Sequence, residues 1–113
     1  MNEFDDIIGE KLSAIGFILD YYQFQFDGPS FDVLTPVTVI LSSAHARSGD
    51  DQFRNLACGQ IAKVVRSARL RAGEAIVIIF EDDSQILFSL KDEDYPGPEA
   101  VIFRGKDGVW SVF

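Results

Sequence analysis

The hydrophobic positions of this chain change period several times, and each change marks an element. From Glu3 to Gly9 the residues Phe4, Ile7 and Ile8 follow the three-and-four spacing of a helix face, with Asn2 as a candidate N-cap and Gly9 as a stop. A short helix is expected there. Beyond it the period falls to two: Leu12 and Ala14, then Ile15, Phe17, Leu19 and Tyr21, then Tyr22, Phe24 and Phe26 on alternate positions. That alternation predicts strands with one buried face. Asp27-Gly28-Pro29 supplies turn chemistry, and Phe31 to Leu41 resumes as a β-rich run in which Pro36 marks an edge or a bulge.

Ser42 to Asp50 is small and polar and predicts an exposed loop. Asp50 or Asp51 then caps a second helix, whose apolar face is Phe53, Leu56 and Ala57, extending to Ile61. Five short β-type runs follow, Val64 to Leu70, Ala75 to Phe80, Gln85 to Leu90, Val101 to Arg104 and Val109 to Phe113, separated by segments of turn residues. The two halves share a plan: a helix, a glycine (Gly9 or Gly59), then a meander. Either a duplicated unit or the general likeness of antiparallel meanders accounts for this. The fold class that results is α+β, two short helices packed on antiparallel β-meanders of about six to eight strands, arranged as a sandwich or a partly closed barrel.

Length and composition narrow this further. The 113 residues suit one domain, 1–113, with 47% apolar and 25% charged residues, a globular usage able to bury a core without disulfides. No apolar run approaches the roughly 18 residues of a membrane helix, so no membrane contact is expected. Met1 to Asp6 carries acids where a secretory leader needs basic residues, and the single cysteine, Cys58, suits a reducing compartment, so a cytoplasmic location is expected.

Charge changes the picture most. The net charge is −8 and it is segmented: residues 1–34 hold seven acids and one lysine, residues 35–80 six basic groups and three acids, residues 81–113 eight acids and three basic groups. Nucleic-acid affinity comes from lysines and arginines that displace condensed counterions, so direct nucleic-acid binding is not expected. A basic macromolecular partner fits an acidic surface, although acids also serve solubility alone.

Candidate chemistry is sparse. His45 is the only histidine and stands in a polar loop, where solvation is the plain reading. Cys58 reads as a small packed hydrophobe. Asp82, Asp83, Asp92, Glu93 and Asp94 resemble a cation-binding cluster in composition, but the Asp-x-Asp-x-Asn-Gly loop with a distal Glu is missing, and an acidic rim is the better reading. No glycine-rich phosphate loop occurs, and no carboxylate pair is set apart for acid–base work. The aromatics Tyr21, Tyr22, Phe24, Phe26 and Phe31 stand among Asp20, Asp27 and Asp32, which favours a core strand over a base-stacking platform. Arg66, Arg69 and Arg71 alternate with smaller residues and predict the solvent face of a strand, paired with neighbouring acids. The expectation is therefore a chain with no catalytic residues, metal site or cofactor.

Two stretches carry a resemblance. Gly9-x-x-Leu12-x-x-Ile15-x-Phe17, running into Asp20-Tyr21-Tyr22-Gln23-Phe24-Gln25-Phe26-Asp27-Gly28-Pro29, and the distal Asp94-Tyr95-Pro96-Gly97-Pro98-Glu99-Ala100, together resemble a family of small bacterial proteins of the toxin-immunity type. These are similar to the immunity proteins of contact-dependent growth inhibition. The likeness covers most of the chain and is weakest over Thr35–Asp50. It implies a cytoplasmic immunity protein, not an enzyme, that neutralises a cognate toxin domain, a basic nuclease by expectation, by occluding its active site. The expected toxin-binding residues are Asp82, Asp83, Asp92, Glu93 and Asp94, with Tyr95 as an anchor, while Pro96, Gly97, Pro98 and Glu99 also read as a rigid turn. Two other classes stay open: a module that self-associates through an exposed edge strand, and a small-ligand-binding β domain.

Overall fold

Alternating side chains send every second residue of a strand inward, and ten such strands occur among the described residues of this protein. The structure, a computed structural model, describes residues 3–113, so the capping role read for Asn2 lies outside the described residues. In chain order come a 3-10 turn Asp5–Ile7, then β1 (Ala14–Phe17), β2 (Tyr22–Gln25), β3 (Ser30–Val33), β4 (Val37–Ile40), β5 (His45–Arg47), α1 (Phe53–Cys58), β6 (Val65–Arg71), β7 (Ala75–Phe80), β8 (Gln85–Ser89), a 3-10 turn Asp92–Asp94, β9 (Val101–Arg104) and β10 (Trp110–Val112). They form two five-stranded sheets, in the orders β1-β2-β3-β9-β10 and β5-β4-β8-β7-β6. Every pairing is antiparallel.

The antiparallel meanders and the sandwich arrangement agree with the sequence reading, but two of its details need correction. The expected pair of short helices reduces, among the described residues, to one α-helix of six residues, since Asp5–Ile7 makes only a single 3-10 turn. A stretch closed by Gly9 leaves too few residues to offset the cost of helix nucleation. The six to eight strands become ten, because Phe31–Leu41 divides at Thr35-Pro36 into β3 and β4 of different sheets, and because β5 lies within the expected loop. Pro36 has no amide to donate and stands where the chain crosses. The buried Thr35 fixes the crossing, its Oγ1 donating to the Ser89 carbonyl at 2.6 Å.

Phenylalanines fill the space between the layers. Phe24 of β2 and Phe31 of β3 meet Phe88 of β8 with ring centroids 4.9 and 5.2 Å apart, joining the sheets through the centre of the core. Tilted and edge-on ring pairs of this kind add to the burial of their area. Two short segments close the sides. Phe53 of α1 packs on Tyr22 at 5.5 Å and Arg54 lies over the Phe17 ring, while Phe4, before the first 3-10 turn, touches Phe31, Phe103 and Phe113.

The two halves are equivalent in connectivity. Renaming β1 to β5 as β6 to β10, and the reverse, turns one sheet order into the other. Each half builds a three-stranded meander and passes its remaining hairpin to the opposite sheet. The segments leading into β1 and β6 meet at the bridge Lys11–Val64, and the bonds around it come in matched pairs. Gly9 N donates to Val65 O at 2.9 Å as Ala62 N donates to Leu12 O at 2.8 Å; Leu12 N donates to Lys63 O as Val65 N donates to Glu10 O. The structural mate of Gly9 is therefore Ala62, rather than Gly59 as the sequence plan suggests, and Gly9 and Ala62 have nearly the same φ, +82° and +79°.

Candidate functional site

The six residues expected to form one acidic surface separate into two groups. Asp82 and Asp83 belong to the turn before β8, whereas Asp92, Glu93 and Asp94 follow its far end, so the length of β8 stands between them. Each strand residue advances about 3.3 Å, which sets the groups at opposite ends of the sandwich. Most of these acids already have cations. Asp82 bonds Lys63 Nζ at 2.7 Å, Asp83 is paired with Arg66, and Asp94 takes Arg47 at 3.1 Å and the Ser89 hydroxyl at 2.6 Å. The Lys63 ammonium and the Ser84 donors hold the Asp82 carboxyl at a pKa of about 2. This cluster continues inward, because the buried Gln60 donates to Ser84 Oγ and accepts from Lys63. Its acids serve the fold, and only Asp92 and Glu93 of the five stand exposed with no ion pair drawn to them.

The end that carries Asp92 and Glu93 is assembled from the turns after β1, β3 and β8. The β1–β2 turn places Leu19 almost wholly in solvent, 96% exposed, next to Asp20 and Tyr21. Sequence alternation put Leu19 on a strand; the strand ends at Phe17, and Leu19 caps the turn instead. Leu34 lines two adjoining grooves, one against Ile18, Leu19, Asp20 and Tyr21, the other, of about 260 Å³, against Pro96, Gly97, Pro98 and Glu99. Residues 18–21 and 96–99, far apart in the chain, thus meet at Leu34. Tyr95 is half-buried against the core, which makes it a support of this surface more than a protruding anchor. Glu74 lines a hollow with Asp94, and the cations Arg47 and Lys91 line it too. An exposed leucine thus stands over two shallow grooves that share Leu34 and whose linings include the acids Asp20 and Glu99.

Other candidates sort quickly. His45 lies exposed on β5. Cys58 is exposed, not packed, because the buried face of α1 is Phe53 and Ala57 and the next position turns outward. Arg66 meets an acid as expected, though the acid belongs to a turn and not to a strand. Among the described residues no group of three or more His, Cys, Asp or Glu side chains is placed to hold a metal ion, and no helix is long and apolar enough to cross a membrane. The aromatic rings a ligand cavity would use as lining touch one another between the sheets. A last exposed group, Val109, Trp110 and Val112, lies at the β10 edge and had no place in the sequence reading beyond a terminal strand.

No family model matches the chain, and neither the curated proteins nor the solved structures contain a match to it.

Proposed function

We propose that this chain is an immunity-type inhibitor that binds a bacterial toxin domain and occludes its active site with the end of the sandwich built around Leu19, Asp20, Asp92, Glu93 and Glu99. The observation that carries the reading is the bare leucine over two grooves that share Leu34 and include Asp20 and Glu99, with Asp92 and Glu93 exposed in the segment after β8. In this reading the partner is basic, as a nuclease active site is, and acts in the cytoplasm. The carboxylates speed encounter, and Leu19 with the groove floor supplies affinity once water is excluded. Three of the six residues first expected at the interface, Asp82, Asp83 and Asp94, take the structural role of ion-pair partners instead.

The test pairs the protein with the toxin C-terminal domain encoded beside its gene, in a one-to-one capture assay and a titration of toxin activity. Asp92→Lys with Glu93→Lys should weaken capture at least tenfold and lower its salt sensitivity, because the attraction that salt screens is gone, and Leu19→Ala should cost about 1 to 2 kcal/mol, as truncating an interface anchor does. Asp83→Asn, at the opposite end, should leave neutralisation intact. Full neutralisation by the Asp92 and Glu93 double variant would refute this surface.

A further inference from the structure

Pseudo-symmetry gives the protein an internal control. The two sheets end on equivalent outer strands, β5 and β10, and their residues correspond: His45 to Trp110, Ala46 to Ser111, Arg47 to Val112. Both strands bond inward through alternate residues. On β10 these are Val109, Ser111 and Phe113, with Val109 O accepting from Gly105 N and Phe113 exchanging bonds with Val101, so the amides and carbonyls of Trp110 and Val112 face the free edge.

The two edges are finished differently. On β5 the outward residues are His45 and Arg47, the Arg47 amide is occupied by Asp50 Oδ2 at 2.8 Å, and α1 packs beside the strand. Charge and a covered amide are standard protections against strand addition. On β10 no charged residue or proline occurs from Gly108 to Phe113, and Trp110 and Val112 are each 57% exposed. One face of the indole carries the Arg104 guanidinium, 4.6 Å from the ring centroid.

We propose that β10 pairs antiparallel with β10 of a second copy of this chain, about a two-fold axis at Ser111, joining two five-stranded sheets into one of ten. The sequence of the strand is self-complementary for that register. Centred on Ser111, the outward-bonding residues Trp110 and Val112 of one copy face Val112 and Trp110 of the other, which satisfies all four edge groups on each side and lays each indole against a valine. The small Ser111 side chain sits at the axis, where a large one would crowd its mate. The charges next to the strand, Arg104, Lys106 and Asp107, are mixed, so the acidic excess of the chain does not oppose the approach. A contact this short places the dimer in the concentration-dependent range.

Trp110 is the only tryptophan, so its emission reads this edge directly. Sedimentation and fluorescence would be followed over a concentration series of the full chain. The mass should rise from one chain to two, with a blue shift of the emission in step. Val112→Arg, which copies β5, and Val112→Pro, which removes only an outward amide, should hold the protein at one chain with red-shifted emission. A single-chain mass at every concentration would overturn the proposal, as would a Val112→Arg protein that dimerises like the parent. Toxin neutralisation is read independently through Leu19, Asp92 and Glu93, so either proposal can fail without the other.

Discussion

Ala62 holds a left-handed backbone conformation, φ +79°, that its structural mate Gly9 adopts without a Cβ. A Cβ in that region meets the following carbonyl. Ala62→Gly should therefore stabilise the fold by about 0.5 to 1 kcal/mol, after allowing for the greater freedom of glycine in the unfolded chain. A rise in the urea midpoint with an unchanged slope would show it, and a fall would mean that the strain is relieved elsewhere. Asp82 gives a second handle. Its carboxyl is depressed from 3.8 to about 2 by Lys63 and Ser84, so its contribution to stability is complete above pH 3.8 and is lost as pH falls from there toward 2. Asp82→Asn should flatten that part of the stability profile, by a modest amount because half of the side chain is exposed. An unchanged acid limb would deny the pair any role. An acid was expected for Arg66, but the pair of Asp94 with Arg47 was not legible in the sequence, because 47 positions separate them and only the fold brings them together.

At the scale of elements, the apolar pattern identified β2 by alternation and β6 to β10 as short β-type runs. It missed β5, which offers the core only Ala46, and it extended β1 through Leu19 because apolar spacing does not reveal where pairing ends. The first helix failed for a related reason: Phe4 and Ile7 are buried as the pattern required, yet one 3-10 turn is enough to bury them. Helix α1 is short but holds a side of the sandwich through Phe53, whose ring meets Tyr22 across the gap between layers. Phe53→Ala should cost about 3 to 5 kcal/mol, a large part of the stability of a domain this size. Thermal unfolding would read it, and a loss below about 1 kcal/mol would show that the helix is a decoration.

The whole molecule places its acids unevenly in function even where they are even in number. Those at the β7–β8 turn are tied to Lys63 and Arg66, and those beyond β8 include the free pair Asp92 and Glu93. Composition revealed the excess of acid, and turn chemistry placed it in loops, but which acids were already matched depended on three cations scattered over the chain. The exchange of hairpins between sheets has a consequence for synthesis. As the chain leaves the ribosome, β1, β2 and β3 emerge early but lack their outer strands until β9 and β10 are made, and β4 and β5 wait for β8. The β1–β3 meander must therefore stay unfinished, its β3 edge open, while β4 to β8 are made, and the strand that fastens it comes only after the whole of the second sheet.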